Sequence, residues 1–348
     1  ITLPGDKSIS HRALMLGAIA LGNTKIRGLS MGSDIMSTIS CLRSLGVEIG
    51  FDRNNLVTIR GNGGSLQKPN LILNAGNSGT TIRILTGMLA TQGFQCVITS
   101  DESLKSRPML RIIEPLNLMG AEIHGNNNDT QAPLIIQGRR LHGIKYTMPT
   151  ASAQVKSALI IAGLLAEGET LLRQPWVSRD HTEKMVSAMG GLLTEDITDL
   201  TIIPSALNAI DVNVPGDISS AAFWIIAGIC HPNARLTIQN CGVNPTRTGI
   251  IDIIRKMGGV VAETSTYHTN GEPVADLLVE SSKLTGIEIN GSIIPRIIDE
   301  LPVIALAACF ANGTTVIRDA QELRSKESDR ISTTVSELSK LGACVEEL

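Results

Sequence analysis

Cationic and hydroxyl side chains gather where predicted helices begin, and these are the places where phosphates and carboxylates bind most readily. The segment DKSISHR holds Lys7, Ser8 and Arg12, and GNSGTTIR holds Asn77 and Gly79. The first turn of a helix offers unpaired amides and the positive end of the helix dipole, so nearby cations strengthen anion binding there. The pattern predicts a ligand that carries phosphate or carboxylate groups.

Three further segments fit the same chemistry. A third helix start, in ASAQVKSALI, holds Ser152 and Gln154. The segments LKSRPMLR and VSRDHTEK add Arg107 and Arg179. Taken alone, each of these two segments is typical of a solvated loop, because most charged side chains simply face water. They gain significance from occurring in the same chain as the helix starts.

Carboxylates appear near the end of the chain. Asp299 lies in IPRIIDELPVIAL, and Glu327 lies in ELRSKESDR beside Lys326 and Arg330. An acid at a helix start often only complements the dipole, and KESDR is typical of a salt-bridged surface turn. Asp299, however, lies between apolar stretches, where a carboxylate is costly unless it is needed. This position favours a functional role.

A repeated pattern indicates which elements position these side chains. A small-residue turn follows a helical pattern five times, with glycines at Gly46, Gly120, Gly190, Gly258 and Gly342. Upstream of each turn, an apolar helix runs into a polar turn and a β-rich strand, as in LGAIALGNTKI. These apolar helices are expected to begin at SISHR, NSGTTIR, SAQVKS, DISSAAF and DELPVIA, where Ser, Asn or Asp supplies the N-cap. Five small α/β units are therefore predicted.

Two similar segments, LPGDKSIS and VPGDISSA, suggest where the chain crosses between two lobes. A chain of 348 residues exceeds what one hydrophobic core usually serves. We predict one continuous lobe over residues 5–214 with three units, and a second lobe made of residues 1–4 and 215–348 with two units. Equal lobes would require a sixth unit, so the chain is expected to be incomplete at its C-terminus.

Composition limits the partners. Aromatic residues make up only 2% of the chain, so few rings are available to stack on bases. A net charge of −3 without a long basic run does not favour nucleic acid or an anionic membrane surface. The six cysteines form no CxxC pair and are interpreted as buried thiols of a reducing compartment. No apolar run is long enough to span a membrane, so a cytoplasmic location is expected.

An ordered set of motifs carries a family resemblance. LPGDKSISHRALML, NAGNSGTTIRIL, SRPMLR, ASAQVKSALI, SRDHTE, VPGDISSAAF, IDELPVIAL and KESDR occur in this order. Together they resemble the enolpyruvylshikimate-phosphate synthases over essentially the full chain. The resemblance implies an α/β, two-lobed enolpyruvyl transferase fold of βαβαββ units, five visible and a sixth missing at the C-terminus. It also implies a monomer that closes around its ligands.

The resemblance further implies which residues bind the two substrates, shikimate 3-phosphate and phosphoenolpyruvate. The residues expected to hold shikimate 3-phosphate are Lys7, Ser8, Arg12, Ser152, Gln154, Arg179, Asp299 and Lys326. Those expected to contact phosphoenolpyruvate are Lys7, Asn77, Gly79, Arg107, Gln154 and Arg330.

The implied reaction is an addition followed by an elimination, and it needs a base and an acid. By resemblance, Asp299 is the base for the shikimate 5-hydroxyl. Glu327 is the candidate acid at the methylene carbon, and Lys7 assists the departing phosphate. No covalent nucleophile, metal or organic cofactor is expected. Gly79 leaves room beside the phosphoenolpyruvate site, which predicts sensitivity to glyphosate.

Two other functions remain to be separated from this one. The cell-wall enolpyruvyl transferase that uses a UDP-sugar usually carries a reactive cysteine in the loop near Arg107, but no cysteine lies between Ser100 and Arg111, and Cys96 is interpreted as buried. A non-catalytic anion-binding clamp would not need Asp299 and Glu327. Because two cations of the expected sixth unit are absent, this 348-residue chain is expected to have weak activity or none.

Overall fold

The computed structural model describes residues 1–348, and the chain divides into two compact units. The large unit comprises Gly5–Val214, and the small unit comprises Ile1–Pro4 together with Pro215–Leu348. Each unit has its own cluster of buried apolar side chains, so each has its own hydrophobic core. No helix is both long and apolar enough to cross a bilayer.

The large unit contains eight helices and twelve strands. The helices are α1 Lys7–Ile19, α2 Ser33–Ser44, α3 Gly79–Ala90, α4 Glu102–Lys105, α5 Leu110–Leu118, α6 Asn126–Asp129, α7 Ala153–Leu164 and α8 His181–Ala188. The strands are β1 Leu21–Arg27, β2 Glu48–Phe51, β3 Val57–Asn62, β4 Leu73–Asn74, β5 Gln95–Thr99, β6 Glu122–Gly125, β7 Gln131–Gln137, β8 Lys145–Thr147, β9 Thr170–Arg173, β10 Leu192–Asp196, β11 Asp199–Ile203 and β12 Asp211–Asn213.

Three four-stranded sheets in the large unit share one pairing pattern. Their strand orders are β12-β1-β3-β2, β4-β5-β7-β6 and β8-β9-β11-β10. In each sheet the first two strands pair in parallel and the other two pairings are antiparallel. The first sheet differs in one respect, since β12 comes from the far end of the unit and pairs with β1.

The helices α1, α3 and α7 form the interior of the large unit. Nearly every residue of each is buried, and α7 is apolar on all sides, which is the pattern of a helix enclosed by other elements. Their N-termini lie at the same end. Gln154 in the first turn of α7 bonds to Thr80 and Arg83 of α3, and Arg12 of α1 bonds to Ser157 of α7.

The small unit contains α9 Ile218–Cys230, α10 Gly249–Lys256, α11 Ile294–Ile297, α12 Leu301–Ala308 and α13 Arg330–Lys340. Its strands are β13 Arg235–Gly242, β14 Val260–Thr269, β15 Glu272–Glu280, β16 Glu288–Ile289 and β17 Val316–Ile317. The strands form an antiparallel sheet, β13-β15-β14, and a parallel pair, β16-β17. The apolar helices α9 and α12 pack together in the core.

The five landmark glycines all end helices in the left-handed conformation. Their φ angles lie between 83° and 106°. The five residues are Gly46, Gly120, Gly190, Gly258 and Gly342. A residue with a Cβ rarely adopts this conformation, whereas glycine does so readily. The predicted change from helix to turn is confirmed at all five places.

Two details of the sequence interpretation are wrong. The last of the five apolar helices, α12, has Glu300 at its N-cap position and no side-chain cap hydrogen bond, so a Ser, Asn or Asp cap is absent there. Cys309 and Cys344 are exposed rather than buried. Their apolar neighbours in the sequence indicated burial. A residue in an apolar segment can nevertheless face solvent, because burial depends on which elements pack against that segment.

Candidate active site

The N-terminal turn of α1 carries the first group of candidate residues in the large unit. Asp6 caps the helix, since its carboxylate accepts a hydrogen bond from the Ile9 amide at 2.9 Å. The side chain of Lys7 is 54% exposed, and its Nζ lies 3.1 Å from Oδ2 of Asp34 on α2. The Lys7 backbone is thus held in the first turn of α1, while its side chain remains partly exposed and can meet an incoming anion.

Arg12 lies one turn further along α1 and is buried. It donates hydrogen bonds to the Ser8 carbonyl at 2.9 Å, to Ser157 Oγ at 2.7 Å and to Thr182 Oγ1 at 2.6 Å. One guanidinium thus joins α1, α7 and α8. Arg179 lies half-buried just before Asp180, the residue at the N-cap position of α8.

His11, next to Arg12, is fully buried and hydrogen-bonded through Nδ1 to Thr38 Oγ1 at 2.8 Å. Burial, and then the charges of Lys7 and Arg12, lower the pKa of His11 to about 3, while Asp6 acts in the opposite direction. At neutral pH the ring is therefore uncharged and adds no third cation to this end of α1.

The start of α3 is a glycine beside two guanidinium groups. Ser78 caps the helix by accepting from the Thr81 amide at 3.1 Å. A Cβ built on Gly79 would lie 2.7 Å from Nη1 of Arg83 and 3.4 Å from Nη1 of Arg107. Arg107 also lies within 3.4 Å of Asn77 Oδ1. Gly79 is buried, and the absence of a side chain there lets two guanidinium groups approach its backbone, which suits a phosphate or carboxylate at this helix start.

Gln154 connects α7 to this group. Its Oε1 accepts from Arg83 Nη1 at 2.7 Å, and its Nε2 donates to Thr80 Oγ1 at 3.0 Å. Ser152 caps α7, with Oγ 3.5 Å from the Val155 amide. The structure therefore brings Asn77, Gly79, Arg107 and Gln154 into one contiguous group at the ends of α3 and α7. Arg107 is only 8% exposed, so its interpretation as part of a solvated loop is wrong.

The small unit brings its two candidate carboxylates to one arginine. Arg330, the first residue of α13, lies 3.3 Å from Asp299 Oδ1 and 2.5 Å from Glu327 Oε2. The Asp299 side chain remains 30% exposed, so a substrate can reach it. Lys326 is close in sequence, and its Nζ pairs with Glu322 at 3.0 Å. Acid, base and cation candidates are thus adjacent in this unit.

Glu300, the neighbour of Asp299 in the sequence, pairs with Arg247, and Arg247 was not among the residues that the sequence indicated. Glu300 is 1% exposed; its Oε1 accepts from Ser219 Oγ at 2.5 Å and lies 3.5 Å from Nη2 of Arg247. These bonds tie the start of α12 to the start of α9. Asp299 and Glu300 are adjacent acids between apolar stretches. That pattern could have indicated that one carboxylate is exposed and the other is buried with a cation.

Sequence reasoning also missed a second set of supporting residues in the large unit. Asp34 pairs with Lys7, and Lys156 forms a buried ion pair with Glu183. Lys156 could have been noticed, because it is a lone charge within an otherwise apolar helix. Asp34 gave no signal, since an acid near the start of a helix is common.

Cys96 is not placed for chemistry. It lies on β5, is 6% exposed, and its burial raises the pKa of the thiol to about 11. A thiol with such a pKa is protonated at neutral pH and is a poor nucleophile. The residue therefore does not supply the reactive cysteine of the alternative enolpyruvyl transferase.

The family model described as "EPSP synthase (3-phosphoshikimate 1-carboxyvinyltransferase)" matches residues 1–348. The chain belongs to the EPSP synthase family. A relative named 3-phosphoshikimate 1-carboxyvinyltransferase from Synechococcus elongatus is 54% identical, over 100% of this chain and 79% of its own length. One of the same name from Bacillus cereus is 52% identical, over 99% and 81%. The resemblance found in the motifs is thereby confirmed.

Solved structures give the same fold. An EPSP synthase from Acinetobacter baumannii superposes with a TM-score of 0.87 at 43% identity, covering 97% of this chain and 77% of its own. The enolpyruvyl transferase NikO from Streptomyces tendae gives a TM-score of 0.70 at 17% identity, covering 92% and 74%, and shows likeness of fold alone. The chain thus has the mixed α/β fold of EPSP synthases and spans about four fifths of the length of its curated relatives.

Proposed function

We propose that this EPSP synthase family member transfers the enolpyruvyl group of phosphoenolpyruvate to the 5-hydroxyl of shikimate 3-phosphate and releases phosphate. The reaction belongs to the shikimate pathway, which leads to chorismate and the aromatic amino acids. The observation that carries the proposal is the grouping of Asp299 and Glu327 around Arg330. It supplies proton-transfer groups beside a cation that can hold an anionic substrate.

We propose one set of binding residues for each of the two anionic substrates. For shikimate 3-phosphate they are Lys7, Ser8, Arg12, Ser152, Gln154, Arg179, Asp299 and Lys326. For phosphoenolpyruvate they are Lys7, Asn77, Gly79, Arg107, Gln154 and Arg330. Both molecules bring a phosphate and a carboxylate, so their mutual repulsion must be offset by charge-assisted hydrogen bonds. The capped helix starts and buried guanidinium groups of the large unit support this assignment.

The chemistry proceeds in two proposed stages. In the addition, Asp299 accepts the proton of the 5-hydroxyl as its oxygen bonds to C2 of phosphoenolpyruvate, and Glu327 donates a proton to C3. In the elimination, Glu327 takes a proton back from the methyl group, the double bond forms again, the C2–O bond to phosphate breaks, and the proton held by Asp299 passes to the departing phosphate. Lys7 stabilises the charge on the departing phosphate. Protons balance without a metal or an organic cofactor.

We also propose that the chain is organised as βαβαββ units, three in the large unit and two in the small unit. The common strand order of the three large-unit sheets supports this proposal. In the second sheet the chain order, apart from the four-residue helices α4 and α6, is β4, α3, β5, α5, β6, β7, and in the third it is β8, α7, β9, α8, β10, β11. A monomeric state and a cytoplasmic location remain predictions.

A phosphate-release assay tests the function. The chain is incubated with both substrates together and with each substrate alone, and inorganic phosphate is measured over time. Phosphate release only from the mixture supports the transferase. Binding of both substrates without phosphate release would instead favour a non-catalytic clamp, and release from phosphoenolpyruvate alone would indicate a phosphatase.

A further inference from the structure

A buried ion pair joins α7 to α8 in the large unit. Lys156, in the first turn of α7, places Nζ 2.5 Å from Oε1 of Glu183 on α8, and the side chains are 2% and 3% exposed. A cation in the first turn of a helix opposes the helix dipole. The free energy lost by removing two charges from water commonly exceeds what their attraction contributes. Stability alone is therefore a weak reason for this pair.

Lys156 makes a second bond that points to a different role. Its Nζ donates to the Ser178 carbonyl at 3.2 Å. Ser178 lies in the connection between β9 and α8, which contains no helix or strand. Its hydroxyl in turn donates to Gln174 Oε1 at 2.6 Å. Because the Ser178 carbonyl and the Arg179 amide belong to one planar peptide, the lysine sets the orientation of the backbone that enters Arg179.

The other side of Arg179 is anchored as well. Thr182, three residues later, accepts a hydrogen bond from Arg12 at 2.6 Å and is hydrogen-bonded to Ser157. Two buried cations thus anchor the chain on both sides of Arg179, Lys156 through the Ser178 carbonyl and Arg12 through the Thr182 side chain. The Lys156 ammonium needs a counter-charge in this dry location, and Glu183 provides it.

We propose that Lys156 and Glu183 are positioning residues that hold the Ser178–Arg179 peptide so that Arg179 meets the phosphate of shikimate 3-phosphate. The proposal rests on the proposed function, because it requires that substrate. It assigns the pair to recognition of the phosphate group and not to proton transfer.

The test replaces the pair by apolar residues of similar size, Lys156→Met with Glu183→Leu. Such replacements usually fold, because no buried charge is left unpaired. We expect the KM for shikimate 3-phosphate to rise about tenfold, which corresponds to loss of one well-oriented charge-assisted contact. The KM for phosphoenolpyruvate should stay within about twofold, and the affinity for shikimate, which lacks the phosphate, should be unchanged.

A charge-reversed pair, Lys156→Glu with Glu183→Lys, provides a second variant should the apolar pair fail to fold. It keeps an ion pair but removes the donor that α7 offers to the Ser178 carbonyl, so the same rise in KM is expected. Ile160→Val, one turn further along α7 and fully buried, is the matched control for loosened packing and should leave that KM unchanged.

Each outcome decides between the two proposals. A folded variant whose KM for shikimate 3-phosphate stays within about twofold of the parent overturns the inference, as does an equal loss with shikimate. A parent chain that neither releases phosphate from the two substrates nor binds shikimate 3-phosphate overturns the proposed function, and this inference with it. An active parent with unaffected variants overturns the inference alone.

Discussion

At the scale of single residues, Arg330 brings the proposed acid and base together. It pairs with Asp299 and Glu327 at once, so both carboxylates are held near a positive charge. An adjacent cation favours the ionised form of a carboxylate. The proposed base and the proposed acid are therefore held at the same cation before substrate arrives.

Asp299→Asn should remove the proposed base and leave the shape of the site intact. We expect kcat to fall roughly 100-fold or more, since general base catalysis typically contributes that much, while shikimate 3-phosphate still binds. Phosphate release and calorimetric binding measure the two effects. Asp252→Asn, which breaks an ion pair with Arg296 in the same unit, is the matched control and should retain activity.

Gly79→Ala should weaken inhibition by glyphosate more than it weakens binding of phosphoenolpyruvate. The added methyl group would lie 2.7 Å from Arg83 and 3.4 Å from Arg107, in space where an anion is expected to bind. We expect a several-fold rise in the KM for phosphoenolpyruvate and a rise of roughly tenfold or more in the glyphosate concentration for half inhibition, because glyphosate is the longer molecule. Gly93→Ala, in open space, is the control. An unchanged inhibition curve would contradict the predicted sensitivity.

At the scale of elements, the site depends on helices that begin together. Ser78 and Ser152 were recognisable as caps because a polar residue before an apolar helical run is a strong local signal. The contacts by which those ends meet could not be predicted from the sequence, since they depend on how α3 packs against α7. Likewise, Arg107 was predicted as a candidate but its burial was not, because burial depends on neighbours distant in sequence.

The landmark glycines allow a test of the helix ends. Gly190→Ala should reduce the free energy of unfolding by about 1 kcal/mol, because its φ of 83° is unfavourable once a Cβ is present. A Cβ at Gly190 would meet only Asn208 Nδ2 at 3.4 Å, which is ordinary van der Waals contact. A Cβ at Gly50 meets nothing within 4 Å and Gly50 has no left-handed φ, so Gly50→Ala should be neutral or slightly stabilising. Urea unfolding of both variants measures the difference. Equal effects would show that φ is not the cause.

At the scale of the whole molecule, the net charge of −3 conceals strong local contrasts. Cations lie near the starts of α1, α3 and α7, and His11 is kept neutral among them. The family and the α/β class could be predicted from ordered motifs, since these span the entire chain. The supporting ion pair of Lys156 and Glu183 could not, because its partners lie on different helices.

His11 should make stability depend on pH. Its pKa is lowered from 6.5 to about 3 in the folded state, so the unfolded chain takes up a proton first as the pH falls. Stability is thus fully present above pH 6.5 and declines towards pH 3, by about 1 kcal/mol between pH 6.5 and 5.5. Urea unfolding at several pH values measures this, and His11→Asn should flatten the dependence in that interval. An unaltered slope in the variant would assign the effect to other groups.

The pairing of β12 with β1 also affects how the large unit is made during translation. Of the two strands that pair with β1, β12 is among the last parts of this unit to be synthesised. The sheet that contains the first strand of the chain is therefore completed late. Until residues 211–213 have left the ribosome, one edge of β1 has no partner and can pair with another nascent chain. A ribosome-bound intermediate that ends before Asp211 should consequently need chaperone protection, even though its second and third sheets can already be complete.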